Sequence, residues 1–126
     1  LKVNLISMSD YRGKIIFLNF WATWCLPCIA ELPSIEKMYQ ELKEKDIAFL
    51  LISNESLEKL NSYHRKKGFQ VPFHTIDEEG NVPTLYFSPS IPTTFIIDKD
   101  GHIIKKSYGA ENWDDKAFLI ELRKLL

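Results

Sequence analysis

The sequence predicts an α/β fold in which a central mixed sheet carries helices on both faces. Three observations lead there. Two unbroken apolar runs of strand length, Ile15–Phe20 and Ile47–Ser53, require burial on both sides, as in the middle of a parallel or mixed sheet. Each is followed by a stretch with helical spacing. The end of the chain then reads strand, tight turn, strand and helix. A chain of 126 residues suffices for one domain with a proper core and is short for two, so a single domain over residues 1–126 is expected.

Leu1 to Arg12 have mixed polarity and end in the turn signal Gly13-Lys14, so they read as a lead-in lying over the sheet. After the first strand, Pro27 to Lys45 put Ile29, Leu32, Ile35, Met38 and Leu42 on one helical face. Glu36, Lys37, Glu41, Lys43 and Glu44 fall on the other. Pro33 lies inside this pattern and predicts a kink. Past the second strand, Asn54 or Ser56 is placed to cap a helix that buries Leu57, Leu60 and Tyr63 or His64. Lys66-Lys67-Gly68 supplies its stop, cations at the negative end and glycine for the left-handed cap.

Val71 to Ile76 is a shorter strand, Asp77 to Asn81 a polar turn, and Val82 to Phe87 a short helix or turn. Ile91 to Ile97 is a strand introduced by proline. Asp98-Lys99-Asp100-Gly101 turns it into an antiparallel partner over His102 to Tyr108. Asn112 is the expected N-cap of a closing helix that buries Phe118, Leu119, Leu122 and Leu125 or Leu126.

Composition narrows the function. A hydrophobic fraction of 45% argues against disorder, and a formal net charge of -1 gives no basic field for nucleic acid. Arg65-Lys66-Lys67 and Lys105-Lys106 read as solvated faces. No apolar segment approaches the ~20 residues that span a bilayer. Only two cysteines are present, Cys25 and Cys28. The lack of stray thiols suits an oxidising compartment. No signal peptide is visible at Leu1, itself an unusual native start, so targeting or anchoring residues are expected upstream.

The chemistry concentrates where the first strand gives way to a helix. A thiolate, not a thiol, attacks a disulfide, and an ordinary cysteine with a pKa of ~8.5 is mostly protonated at neutral pH. Cys25 is expected among the unpaired N–H groups and positive dipole of a helix start, which favour an anion. Pro27 suits the first helical turn. Cys28 is one turn on, within bonding reach, so Cys25 is read as nucleophile and Cys28 as the more buried resolving thiol. Structural zinc would need two more ligands, and His64, His74 and His102 are isolated. Haem attachment needs a histidine where Ile29 stands. An inert buried pair fits poorly with a strand-to-helix position. No cofactor or metal is expected.

Trp21-Ala22-Thr23-Trp24-Cys25-Leu26-Pro27-Cys28, the helical Pro33 and Ile91-Pro92-Thr93 resemble the thioredoxin fold, a three-layer arrangement. The wider pattern is similar to its TlpA/ResA branch. It comprises Ser9 to Lys14, Asn19 to Cys25, Glu31-Leu32-Pro33, and Pro92 to Asp98 with Asp100-Gly101, and so covers nearly the whole chain. That branch consists of extracytoplasmic bacterial thiol-disulfide oxidoreductases, commonly membrane-anchored at the N-terminus.

The resemblance implies a cis Pro92 facing the cysteines, with the Ile91 backbone pairing to an extended substrate segment. On its residues alone Pro92 reads as an ordinary proline at the start of a strand. The resemblance further implies an apolar rim of Trp24 and Pro27 and a small residue, Gly109, near the site. Glu31, three residues after Cys28 and so on the same helical side, matches the branch's acidic position. A carboxylate there would raise thiol pKa values or accept a proton; the alternative is a surface glutamate in a first helical turn. Cytoplasmic thioredoxins place a buried aspartate where this chain has Asn19, which leaves Glu31 as the local carboxylate. Leu26 puts no charge between the cysteines.

The expected function is reduction of protein disulfides in the bacterial periplasm or at the outer face of the membrane, in cytochrome c maturation or thiol maintenance. The expected partners are protein disulfide or thiol substrates and a membrane thiol-disulfide electron donor. A thiol peroxidase and a non-catalytic partner-binding module are the alternatives. Direction of electron flow and oligomeric state are left open by the motif.

Overall fold

The structure, a computed structural model, describes residues 11–75 and 90–126. Its elements are β1 (Ile15–Phe20), α1 (Leu26–Leu42), β2 (Ile47–Ser53), α2 (Leu57–Lys67), β3 (Phe73–Thr75), β4 (Thr93–Ile97), β5 (Ile103–Tyr108) and α3 (Lys116–Arg123). The strands form one five-stranded sheet in the order β3-β2-β1-β4-β5. β1 pairs in parallel with β2 and antiparallel with β4, β2 is parallel to β3, and β4 is antiparallel to β5. β1 is therefore the centre of a mixed sheet, as its unbroken apolar run requires.

Alternation along the strands divides the core in two. Ile15, Phe17, Phe49, Leu51 and Phe73 face a cluster that also takes Leu32, Ile35, Met38 and Leu42 of α1, Leu60 of α2 and Leu119 and Leu122 of α3. Ile16, Leu18, Phe20, Leu50, Ile52, Phe95 and Ile97 face the opposite side, where Tyr11, Ile91 and Ile103 pack on them. Each such side chain, fully buried, contributes about 1.5–3 kcal/mol, so both faces of β1 and β2 hold the sheet together. The three described helices thus share one face. The helix or turn expected over Val82–Phe87 lies outside the described residues, as do Leu1–Asp10 of the lead-in, Ile76 and the turn at Asp77–Asn81.

Four boundaries differ from the sequence expectation. α1 stops at Leu42, because Lys43 and Lys45 turn back on Tyr39 and Leu42 to feed β2. It runs as one helix through Pro33. β3 is confined to Phe73–Thr75 within the described residues, and β4 begins at Thr93, after the proline that lacks a ladder donor. The N-cap of α3 is Asp115, whose carboxylate accepts from Phe118 N at 3.0 Å, and not Asn112. The cause is Trp113. This side chain is buried, and its backbone N–H donates to Ser34 Oγ at 3.0 Å, so residues 112–115 form a turn and the helix starts later. For α2 the cap is Ser56, and Gly68 at φ +71° closes its C-terminus. Pro92 is cis.

Candidate active site

The segment between β1 and α1 brings both cysteines to the carboxyl end of the central strand. Trp21 N donates to Ile52 O at 3.1 Å and Cys25 N to Ala22 O at 3.2 Å, so the chain turns tightly. Cys25 is itself the N-cap of α1, with φ -93° and ψ 108°. Its Sγ accepts the Cys28 backbone N–H at 3.3 Å, the place a serine or aspartate oxygen usually takes. The same donor and the helix dipole favour a thiolate there when the pair is reduced. Cys25 and Cys28 form a disulfide with Cα atoms 5.2 Å apart. Cys25 is 6% exposed and Cys28 1%. Cys25 is thus slightly the more open of the two buried sulfurs.

Cys25 Sγ lies 3.9 Å from the carbonyl oxygen of Ile91. The adjoining Pro92 carbonyl accepts from Gly109 N at 2.8 Å, and Gly109 sits at φ +95°, where a side chain would strain the backbone. Trp24, Leu26 and Pro27 are exposed around the cysteines. Leu26, 78% exposed, is more open than Trp24 at 66%, one of the two residues expected to form the rim.

Glu31 is not a surface glutamate. Only 2% exposed, it accepts from Asn19 Nδ2 (2.9 Å) on one oxygen and from Trp113 Nε1 (2.9 Å) and Glu111 N (3.1 Å) on the other. Asn19 also donates to Thr94 Oγ1 at 2.8 Å, which ties the carboxyl to β4. Burial pushes the Glu31 carboxyl above the usual carboxylate range. The three hydrogen bonds oppose that rise without cancelling it, and the nearby Glu111 adds to it. Its hydrogen bonds go to these partners and to neither sulfur. A surface groove of about 360 Å³, lined by Glu31, Ser34, Lys37, Glu111 and Asp114, connects it to solvent.

Two residues with roles here have no signal in their local sequence. Trp113 reaches Glu31 across 82 positions. Glu55 accepts Thr23 N (2.8 Å) and Thr23 Oγ1 (2.6 Å), two residues before the nucleophile. Its position just past the end of a strand parallel to β1 was the available clue, since the carboxyl ends of parallel strands share one edge.

The AhpC/TSA family model matches residues 1–106. The chain belongs to the AhpC/TSA family. The ResA thiol-disulfide oxidoreductase of Bacillus thuringiensis subsp. konkukian is 33% identical over 107 residues, 84% of this chain and 61% of that protein. The ResA of Geobacillus kaustophilus is 37% identical over 97 residues, 76% of this chain and 55% of that one. The chain therefore spans about three fifths of the length of the curated relatives it matches. Among solved structures, a putative thiol:disulfide interchange protein DsbE from Chlorobium tepidum superposes with a TM-score of 0.78 at 24% identity, covering 95% of this chain and 85% of that one. The exposed lipoprotein thioredoxin of Streptococcus pneumoniae gives 0.73 at 28% identity, covering 94% and 90%. The fold is thioredoxin-like, as the motifs imply.

Proposed function

We propose that this chain is a thiol-disulfide oxidoreductase that reduces protein disulfides outside the cytoplasm. The observation that carries the reading is Cys25, an N-cap whose Sγ meets the Cys28 N–H and lies beside the Ile91 carbonyl. The ResA relatives, named as enzymes of this class, support it.

The reduced Cys25 thiolate attacks one sulfur of a substrate disulfide. That S–S bond breaks, its other sulfur leaves as a thiolate, and a Cys25–substrate mixed disulfide forms. Cys28 then gives up its proton and attacks Cys25 Sγ, which releases the second substrate thiolate and forms the Cys25–Cys28 disulfide. Two electrons pass to the substrate. Glu31, whose hydrogen bonds go to Asn19, Trp113 and Glu111 and to neither sulfur, is assigned as the acceptor for the Cys28 proton through an intervening water. Ile91 and Pro92 hold an extended substrate segment, with Gly109 behind them and Trp24 and Pro27 as the apolar rim.

The substrates are proteins of cytochrome c maturation or thiol maintenance, and a membrane thiol-disulfide protein returns the electrons. The placement outside the cytoplasm rests on the likeness to ResA proteins and to an exposed lipoprotein. No helix among the described residues is long and apolar enough to cross a membrane.

Insulin disulfide reduction tests the activity: wild type is expected to be active and Cys25→Ser inactive, and equal inactivity would favour a binding module. The Cys25–Cys28 reduction potential tests direction. A value near about -270 mV fits a reductant, and one near about -120 mV would reverse the assignment.

A further inference from the structure

We propose that Glu55 is a positioning residue for the Cys25 nucleophile, its buried carboxylate clamping both donors of Thr23 and so fixing the turn that sets Cys25 on the start of α1. The inference rests on the reading of Cys25 as the attacking thiol. Oε1 of Glu55 accepts Thr23 N (2.8 Å) and Ser53 Oγ (2.8 Å); Oε2 accepts Thr23 Oγ1 (2.6 Å) and lies 3.3 Å from Lys59 Nζ. Two donors on each oxygen fill the capacity of an ionised carboxylate. The side chain is 7% exposed.

Glu55 is also anchored from behind. Its N–H donates to Ser53 Oγ at 3.1 Å and its carbonyl accepts from Thr75 Oγ1 at 2.6 Å. The clamp is thereby fastened to the carboxyl ends of β2 and β3, both part of the sheet that carries β1. Between the backbone bonds of Trp21 and Cys25, Thr23 is the midpoint of the turn. Without Glu55 both its partly buried donors would lose their protein acceptor, and with it the tie that fixes the turn to β2.

The titratable groups facing Glu55 are Lys59 and Tyr63 of α2; the turn and the strands present the hydroxyls of Thr23, Ser53 and Thr75. Burial raises the Glu55 pKa, but the bonds from Thr23, Ser53 and Lys59 outweigh it and hold the carboxyl below the usual range. A negative charge bonded to Thr23, itself two residues before the thiol, disfavours the thiolate, so charge and positioning act with opposite sign. Removing the charge alone lowers the thiol pKa. Loosening the turn pulls Cys25 Sγ off the Cys28 N–H and raises it.

That sign is the test. The reduced chain is alkylated with iodoacetamide across pH, with the label located by mass spectrometry, for wild type, Glu55→Gln and Thr23→Val. Thr23→Val keeps the charge and the side-chain shape and removes one donor. The titration midpoint at Cys25 is expected to rise in Thr23→Val, and to lie lower in Glu55→Gln than in Thr23→Val because the amide also removes the charge. The rate at neutral pH is expected to fall about tenfold. A midpoint unchanged or lowered in Thr23→Val, which keeps the Glu55 charge, is what a fold-bracing role predicts and overturns the proposal. A wild-type label on Cys28 would overturn the nucleophile assignment along with it, whereas a label on Cys25 with an unmoved midpoint rejects Glu55 alone.

Discussion

Two buried carboxyls flank the thiol-bearing turn, and their surroundings push them in opposite directions. Glu31 is raised because burial outweighs its three hydrogen bonds; Glu55 is lowered because its four donors outweigh burial. The linkage to stability has opposite sign as well. Glu31 ionises less readily folded than unfolded, so its contribution is complete below the ordinary value of 4.5 and is lost as pH rises through the raised folded value. Glu55 contributes above 4.5 and loses that contribution as pH falls through its lowered value. Thermal unfolding of wild type and Glu31→Gln over this range is expected to show the difference between them shifting in favour of the amide as pH rises from 4.5. A constant difference would mean that Glu31 titrates alike in the folded and unfolded chain. The same substitution removes the proton acceptor that we propose for Cys28, so release of the mixed disulfide is expected to slow by on the order of a hundredfold. Rapid-quench capture of the Cys25–substrate adduct measures that step, and an unchanged release rate would sink the role.

At the scale of elements, α1 performs two tasks at its first turns and carries a cost for neither at its core. Cys25 caps the helix with a sulfur, and Leu32, Ile35, Met38 and Leu42 are buried along the inner face. Pro33 is exposed and removes one helical donor, while the following Ser34 Oγ donates to Glu31 O and accepts Trp113 N. Pro33→Ala restores the donor and is expected to raise stability by up to about 3 kcal/mol, read from denaturant unfolding. A loss of stability would show that the proline's restricted backbone helps aim Ser34 and Glu31.

β3 adds its own pH dependence. Burial holds His74 down to about 4 from an ordinary 6.5, so the folded state disfavours its charged form. Stability is expected to fall as pH drops through 6.5 toward 4, and His74→Gln should flatten that part of the curve. A slope unaltered by the substitution would place the proton elsewhere.

The molecule as a whole shows which kinds of information a linear sequence carries. Strands announced themselves because β1 and β2 are buried on both faces, and the helices because their apolar positions recur every three to four residues. Cys25, Cys28 and Pro33 were legible since their chemistry is local. Glu31 was legible as a position but not as a buried group, because its burial comes from Trp113 and Asn19 on other elements. Asn112 looked like the better cap until Trp113 required a turn of its own. Glu55 was invisible, since a glutamate after Asn54 has no pattern and acquires its meaning only when β2 lies parallel to β1.

The surface that results is unusual in one respect that bears on recognition. Glu31 and Glu55, on either side of the cysteine-bearing turn, are buried and hydrogen-bonded, while the side chains turned outward there, Trp24 at 66% exposure and Leu26 at 78%, are apolar. With a net charge of -1 there is little field to steer a partner. Capture of a protein disulfide should therefore depend on apolar contact and only weakly on salt. Between about 20 mM and about 200 mM salt, kcat/KM for a protein disulfide is expected to change less than about threefold, since the charges of the two signs nearly balance and leave screening little net field to act on. Trp24→Ala is expected to lower it about thirtyfold, the loss typical of a central aromatic contact, through KM and with the thiol midpoint unmoved. A steep fall with salt, combined with a mild Trp24→Ala effect, would instead place recognition on charges away from this rim.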